Sequence, residues 1–95
     1  MAVLEIETFA LVPGVDAAAF RALDEEMQEW CYLNRPGLAR RTTARNNDGS
    51  YVVVTLFGDA SQADAGYFRS AHDVASRWSA AIVEQSRNVA VYSLL

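Results

Sequence analysis

Residues 38–57, LARRTTARNNDGSYVVVTLF, carry the clearest structural signal in the sequence. At the centre of this stretch stands NNDG, residues 46–49, which is a strong hairpin signal because Asn, Asp and Gly tolerate the positive φ angles of tight turns. The flanks 38–45 and 50–57 are rich in Val, Thr and aromatic residues, which is typical of strands. The stretch therefore predicts two antiparallel strands joined by a short turn.

A helix is predicted immediately before this hairpin. Asp16 can cap its first turn, and the helix is expected to stop at Asn34-Arg35-Pro36-Gly37, where proline and glycine interrupt it. Its apolar residues recur at helical spacing: Phe20, Leu23, Met27, Trp30 and Cys31. The acids between them are expected to face mostly water: Asp24, Glu25, Glu26 and Glu29.

Three further elements are predicted at the two ends of the chain. Residues 3–12 alternate as a strand and stop at Pro13-Gly14. Two capping boxes, beginning at Ser61 and Ser70, predict a short helix and a longer one. The apolar stripe of the longer helix comprises Ala71, Val74, Ala75, Trp78, Ala81 and Ile82, and residues 88–95 are expected to close the chain as a strand.

The resulting order is β-α-β-β-α-β in one α+β domain spanning residues 1–95. This is the ferredoxin-like plan, a four-stranded antiparallel sheet with both helices on one face. The strands nevertheless carry apolar residues on both faces. The face without helices would expose Leu4, Ile6, Val52, Val54 and Leu56. Because soluble monomers rarely expose so large an apolar patch, we expect two copies to pack sheet against sheet as a homodimer.

Composition limits the classes of function. The chain has 95 residues, a net charge of −4, eight arginines as its only basic residues besides one histidine, and one cysteine, Cys31. An acidic chain is a poor candidate for nucleic-acid binding. Neither a membrane span nor a basic leader is visible, so a cytoplasmic protein is expected. Cys31 lies on the apolar helix stripe and is interpreted as a small hydrophobic residue.

Four segments resemble the antibiotic-biosynthesis-monooxygenase family of dimeric α+β-barrel proteins: FALVPGVDAAAF (9–20), NRPGLARRTTAR (34–45), VVVTLFGDASQADA (52–65) and SAHDVASRWSAAI (70–82). The resemblance implies two ferredoxin-like protomers joined through their sheets, each with a small-molecule cleft between sheet and helices. The superfamily includes cofactor-free oxygenases of aromatic polyketides, haem-degrading enzymes, isomerases and decarboxylases.

Glu7 is the candidate catalytic base. It shares a strand face with Glu5 and Phe9, so it enters the cleft if that face looks toward the helices. Burial raises the pKa of a carboxyl group toward the range that proton abstraction from a carbon acid requires. The alternative is that Glu5 and Glu7 are structural acids paired across the sheet with the arginines at 40, 41 or 45.

His72, the only histidine, is the second candidate catalytic residue, and it is expected in the first turn of the last helix. The helix dipole would disfavour its charged form there, which leaves a neutral imidazole as a polar auxiliary. Its segment resembles the family's small-Pro-His segment at the cleft mouth. The alternative is a solvated residue beside a helix cap.

Haem chemistry is not expected, and no cofactor or metal is assigned. The haem-degrading relatives use an asparagine, a tryptophan and a histidine, and the matching positions by resemblance are Glu7, Phe57 and Arg77. All three differ.

Aromatic side chains are the candidates for binding a flat substrate: Trp30, Tyr51, Phe57, Tyr67, Phe68 and Trp78. Trp30 and Trp78 fall on the helix stripes, so an ordinary core role is the alternative for both. The arginine cluster has two interpretations as well. Arg41 and Arg45 share one strand face and Arg40 takes the other; the cluster solvates an edge strand, or one member holds an anionic substrate group.

Two functions follow from these residues. The first is a cofactor-independent monooxygenase, or a related small enzyme, acting on an aromatic, polyketide-like molecule with Glu7 as base and His72 as auxiliary. The second is a non-catalytic ligand-binding or accessory dimer in which the cleft is only core.

Overall fold

The computed structural model describes residues 1–63 and 72–95 of the chain. The strands and helices are β1 (Val3–Phe9), α1 (Ala17–Asn34), β2 (Leu38–Arg45), β3 (Tyr51–Phe57), α2 (Asp73–Ala80) and β4 (Asn88–Ser93). Short 3₁₀ turns occur at Ala60–Gln62 and Glu84–Ser86. The four strands form one antiparallel sheet in the order β2-β3-β1-β4. This confirms the ferredoxin-like α+β fold.

The central hairpin forms as the sequence predicts. The Asn46 amide donates to the Ser50 carbonyl at 2.8 Å, and Gly49 takes a φ of +90° that favours glycine. The Asp48 carboxylate accepts from the Ser50 amide at 2.8 Å, which holds the turn closed. The turn fixes the pairing register of the two strands. As a result, Arg41, Thr43 and Arg45 of β2 point to the helix side of the sheet.

Helix α1 also has the predicted ends. The Ala19 amide donates to the Asp16 carboxylate at 2.9 Å, which caps the first turn, and the helix ends at Asn34. Phe20, Met27 and Cys31 are buried on its inner face. Each such side chain contributes about 1.5–3 kcal/mol of gross transfer free energy.

Aromatic packing between sheet and helices forms the core. Trp78 of α2 is completely buried, and its ring lies edge-on to Phe9 of β1 at a centroid distance of 5.3 Å. Phe20 of α1 packs edge-on to Phe9 at 6.0 Å. Both helices therefore cover one face of the sheet.

Two strands are shorter than the sequence predicts. β1 ends at Phe9 rather than at residue 12, because the chain leaves β3 there and pairs with the segment after α2: Leu11 bridges Ile82, and the Val83 amide donates to the Ala10 carbonyl at 2.9 Å. β4 ends at Ser93 rather than at residue 95.

The start of α2 also differs from the prediction. The helix begins at Asp73, and the Val74 amide donates to Nδ1 of His72 at 3.3 Å, so the imidazole caps the helix instead of lying in its first turn. Ser70 and Ala71 lie outside the described residues. Of the short helix predicted from Ser61, the described part is the 3₁₀ turn Ala60–Gln62.

The sheet face opposite the helices carries the apolar residues that the sequence places there. In the pairing of β1 with β3, Leu4 lies opposite Leu56, Ile6 opposite Val54, and Thr8 opposite Val52. All five apolar side chains are half-buried in the single chain. Within the described residues, no helix is long and apolar enough to cross a membrane.

Candidate active site

The helix-side face of β1 carries two acids into the interior. Strand alternation points Val3, Glu5, Glu7 and Phe9 toward the helices, and both glutamates are only 1% exposed. A buried carboxylate is costly unless charged partners or hydrogen bonds compensate it. The partners of these two acids therefore define the site.

Both glutamates are paired with arginines that lie outside the β2 cluster. The Arg87 Nε donates to Glu7 Oε2 at 2.7 Å, and the same guanidinium lies 3.3 Å from the exposed Glu84 carboxylate. Glu5 Oε1 lies 3.5 Å from Nη1 of Arg35, and both side chains are 1% exposed. The predicted pairing with the arginines of β2 is therefore wrong. Arg87 lies one residue before β4, and Arg35 lies three residues before β2. Both side chains therefore reach the interior from loops.

A third buried pair joins α1 to β2. The Arg41 Nη2 donates to Asp24 Oδ1 at 2.8 Å, and the arginine side chain is fully buried. The indole Nε1 of Trp78 donates to the same oxygen at 2.9 Å. Two predictions are thus wrong: Asp24 does not face water, and Arg41 does not solvate the edge strand. Arg41 turns inward because it shares the helix-side face of the sheet with Glu5 and Thr55.

Trp78 stands between two of these pairs. The Arg41 Cζ lies 5.7 Å from its ring centroid and the Arg87 Cζ lies 5.9 Å from it. The Asp24–Arg41 pair and the Glu7–Arg87 pair therefore approach the same indole. The interior is a connected polar network built around an aromatic wall.

Glu7 is the group in this network that is best suited to act as a base. Burial raises the pKa of its carboxyl group above the ordinary value of 4.5, while the hydrogen bond and charge of Arg87 oppose that increase. Among the described residues, Glu7 Oε1 has no hydrogen-bond donor. The carboxylate therefore has one oxygen held by Arg87 and one oxygen available to accept a proton.

Cys31 lies beside this network without joining it. The thiol is completely buried, and burial raises its pKa. The protonated thiol is a poor nucleophile, and its place in the core agrees with the interpretation as a small hydrophobic residue.

His72 lies on the outside of the helical layer. The residue is exposed, and its ring packs against Trp30 of α1 at a centroid distance of 5.1 Å. Its surroundings therefore differ from those of Glu7, whose partner is Arg87. The structure therefore places the two predicted catalytic residues in different surroundings: Glu7 is buried beside Arg87, and His72 is exposed beside Trp30.

The predicted aromatic residues divide into three groups. Trp78 and Phe57 are completely buried, and Arg35 Cζ lies 4.6 Å above the Phe57 ring. Trp30 and Tyr51 are partly buried against the core. Tyr67 and Phe68 lie outside the described residues. Of the positions matched to the haem-degrading relatives, Arg77 is a surface residue paired with Asp73 at 3.0 Å.

Two cavities open beside α1 in the described part of the chain. The larger, of about 580 Å³, lies between α1 and the ends of β2 and β3, and the smaller is about 460 Å³. Asp24 and Phe20 line the larger cavity, on the side of the core where Trp78 donates to Asp24. Glu7 and His72 are not among the lining residues of either cavity.

Sequence reasoning missed Arg35, Arg87 and the inward role of Asp24. The available signal was the absence of lysine: every base that could neutralise a buried acid is an arginine, whose planar guanidinium suits buried pairs. No metal is indicated by the described residues, which contain no group of three His, Cys, Asp or Glu placed to hold one.

Comparison with known proteins places the fold. No family model matches the chain. Among curated proteins, no relative matches it either. Among solved structures, SnoaB of Streptomyces nogalater, a cofactor-independent oxygenase, superposes with a TM-score of 0.70 at 18% identity, covering 99% of this chain and 93% of its own.

Two further structures extend the similarity. An antibiotic biosynthesis monooxygenase superposes with a TM-score of 0.68 at 15% identity over 98% of both chains. A dimeric protein of unknown function with a ferredoxin-like fold, from Bacteroides fragilis, superposes with a TM-score of 0.63 at 17% identity, covering 98% of this chain and 96% of its own. The resemblance to antibiotic-biosynthesis-monooxygenase-like proteins is thus confirmed as a likeness of fold over almost the whole chain.

Proposed function

We propose that this protein is a cofactor-independent monooxygenase acting on an aromatic, polyketide-like carbon acid. The observation that carries the proposal is the buried Glu7 carboxylate, with Arg87 on one oxygen and the other oxygen without a donor among the described residues. Acids whose pKa is raised by burial beside a specific charged partner are frequent at catalytic sites. The similarity of fold to a cofactor-independent oxygenase supports the same reaction class.

In this reaction Glu7 Oε1 removes a proton from an activated CH₂ group of the substrate. The enolate passes one electron to O₂, and the resulting radical and superoxide combine to form a C–O bond. The peroxide takes the proton back from Glu7. Loss of water then breaks the O–O bond and forms a carbonyl, so that CH₂ and O₂ give C=O and H₂O. Arg87 orients the base and its positive charge favours the enolate.

The other predicted residues are assigned around this base. His72 acts as a polar auxiliary at the outer rim, where it packs against Trp30. The substrate-binding wall comprises Trp30, Tyr51, Phe57, Tyr67, Phe68 and Trp78. Aromatic side chains of this kind suit a flat, largely apolar molecule.

We also propose that the working unit is a cytoplasmic homodimer of single-domain chains. The five half-buried aliphatic side chains on the open sheet face support sheet-to-sheet packing. A structure with the same fold is described as dimeric, which supports the same assembly here.

A second candidate function is ligand binding without turnover. It is favoured by the burial of Glu7, which is 1% exposed and ion-paired. It is also favoured by the Trp78 ring, which is completely buried and has its centroid 5.9 Å from the Arg87 Cζ. In that case Glu7 is structural, and O₂ plays no part.

Oxygen uptake with an anthrone-type substrate, in the presence of a chelator, tests the first function. Glu7→Gln keeps the side-chain shape but removes the base, so we expect a loss of about a hundredfold or more in turnover. The matched control is Glu84→Gln, which removes the exposed carboxylate on the same arginine and is expected to leave turnover unchanged. Equal uptake by wild type and Glu7→Gln would exclude Glu7 as base, and tight binding without uptake by wild type would favour the second function.

The role of His72 needs its own pair of variants, because the residue also caps α2. Asparagine retains the cap and alanine removes it. If the imidazole assists the reaction, both variants lose turnover while only His72→Ala loses helix stability. If turnover follows stability alone, His72 is only a cap.

A further inference from the structure

The larger cavity beside α1 has the features of a binding site in its own right. Its volume of about 580 Å³ falls in the range of small-molecule sites. The smaller cavity shares Ala17, Arg45 and Tyr51 with it. The two spaces therefore meet at the Arg45–Tyr51 pair, at the end of the central hairpin.

Tyr51 provides a rigid aromatic surface at this point. Its ring is stacked on Phe9 with a centroid distance of 5.7 Å and an interplanar angle of 5°. Phe20 meets it edge-on at 5.2 Å. Because Phe9 covers one face of the ring, a flat ligand can contact only the partly exposed remainder, next to the Arg45 guanidinium.

Arg45 places a positive charge next to this ring, and Asp48 lines the adjoining smaller cavity. Arg45 and Tyr51 are cross-strand partners, and the Arg45 Cζ lies 5.9 Å from the Tyr51 centroid. Within residues 1–63 and 72–95, no carboxylate pairs with Arg45. The other arginine of the cavity wall, Arg21, lies 3.7 Å from Glu25. The one acid buried in the wall, Asp24, is already bound to Arg41.

The N-terminal end of α1 forms another part of the cavity wall. Ala17 and Ala18 line the cavity there, and the Asp16 carboxylate already accepts from the Ala19 amide, so this helix end adds no free positive charge. Aromatic surface and positive charge thus occur together, although the chain as a whole is acidic.

We propose that this cavity binds a small planar aromatic monoanion, with its carboxylate or phenolate on Arg45 and its ring against Tyr51. The cavity shares Tyr51 with the substrate-binding wall proposed above, but Glu7 and Arg87 are not among its lining residues. The inference does not depend on turnover, so it holds or fails independently of the oxygenase proposal.

Binding of 2-naphthoate to the full chain, measured by calorimetry, tests the site against its neutral analogue 2-naphthamide. We expect the anion to bind at least tenfold more tightly than the amide. Arg45→Gln should weaken naphthoate binding by about tenfold or more and abolish the preference. Tyr51→Leu should weaken both ligands by roughly three- to tenfold. The matched control, Arg40→Gln, changes an exposed arginine of the same strand on the opposite face and should have no effect.

Amide chemical-shift changes in the wild-type chain locate the ligand. The proposal expects the largest changes around Ala17, Arg45 and Tyr51. It is overturned if naphthoate does not bind at millimolar concentration, if the amide binds equally well, or if Arg45→Gln and Arg40→Gln weaken binding equally. Shifts centred on Glu7 and Arg87 overturn it as well, because the ligand then occupies the other site.

Discussion

The two faces of the sheet invert the usual distribution of residues. The face under the helices holds the buried Glu5–Arg35 and Glu7–Arg87 pairs together with Arg41, whereas the opposite face presents a row of aliphatic side chains. Buried ion pairs add little stability compared with apolar packing, and exposed aliphatic rows favour association. This contrast supports the proposed site on the covered face and the proposed contact with a second chain on the open face.

A charge placed on the open face should produce the largest effect. Val54→Glu puts an acid near the centre of the aliphatic row, and a two-fold interface would bring two such charges together at a cost of several kcal/mol. We expect a dimeric wild type and a monomeric variant in light scattering at micromolar concentration. Ser76→Glu, on the exposed surface of α2, is the control that should remain dimeric. A monomeric wild type contradicts the assembly proposed here.

Breaking a buried pair on the covered face should have the next largest effect. Asp24→Leu leaves the Arg41 guanidinium and the Trp78 N–H without their shared acceptor, which should lower the free energy of unfolding by about 3–5 kcal/mol. The double variant Asp24→Leu/Arg41→Met removes both charges and should recover most of that loss. Denaturant unfolding of the two variants measures the difference. If the double variant is no more stable than Asp24→Leu, the damage comes from lost packing.

The smallest effect is a pH dependence caused by Glu7. Because its folded-state pKa is raised, the folded chain binds more protons than the unfolded chain between 4.5 and that raised value. The free energy of unfolding of wild type should therefore fall relative to Glu7→Gln as pH increases through this interval, by at most about 1.4 kcal/mol per pH unit. Unfolding curves from pH 4 to pH 8 give the difference. A difference that grows in favour of wild type with increasing pH contradicts the raised pKa.

Local signals in the sequence predicted most of the fold. The turn at 46–49, the Asp16 cap and the Pro36-Gly37 break are encoded within a few residues, and each forms where it was expected. The C-terminal end of β1 and the start of α2 were misplaced. The end of β1 depends on a distant contact, the bridge between Leu11 and Ile82, which no local pattern encodes. The start of α2 depends on His72, whose imidazole caps the helix in place of the expected serine cap.

The candidate site was predicted only in part. Alternation of β1 pointed Glu7 toward the helices, and the structure buries it there. Its partner was not predictable, because Arg87 follows it by 80 residues and belongs to no motif. Asp24 was assigned to solvent together with the other acids of α1, and its bond to Arg41 depends on how α1 lies over β2.

The order of the elements, the capping and turn residues, and the two apolar faces of the sheet could all be predicted from the sequence. These depend on backbone preferences and on the two-residue period of a strand, which act over short distances. The tertiary contacts were needed to show which arginine neutralises which acid and, among residues 1–63 and 72–95, which carboxylate oxygen has no donor and which cavity-lining arginine has no carboxylate partner. These depend on where distant segments meet, because an ion pair or a cavity forms wherever packing brings side chains within a few ångströms, however far apart they are in the chain.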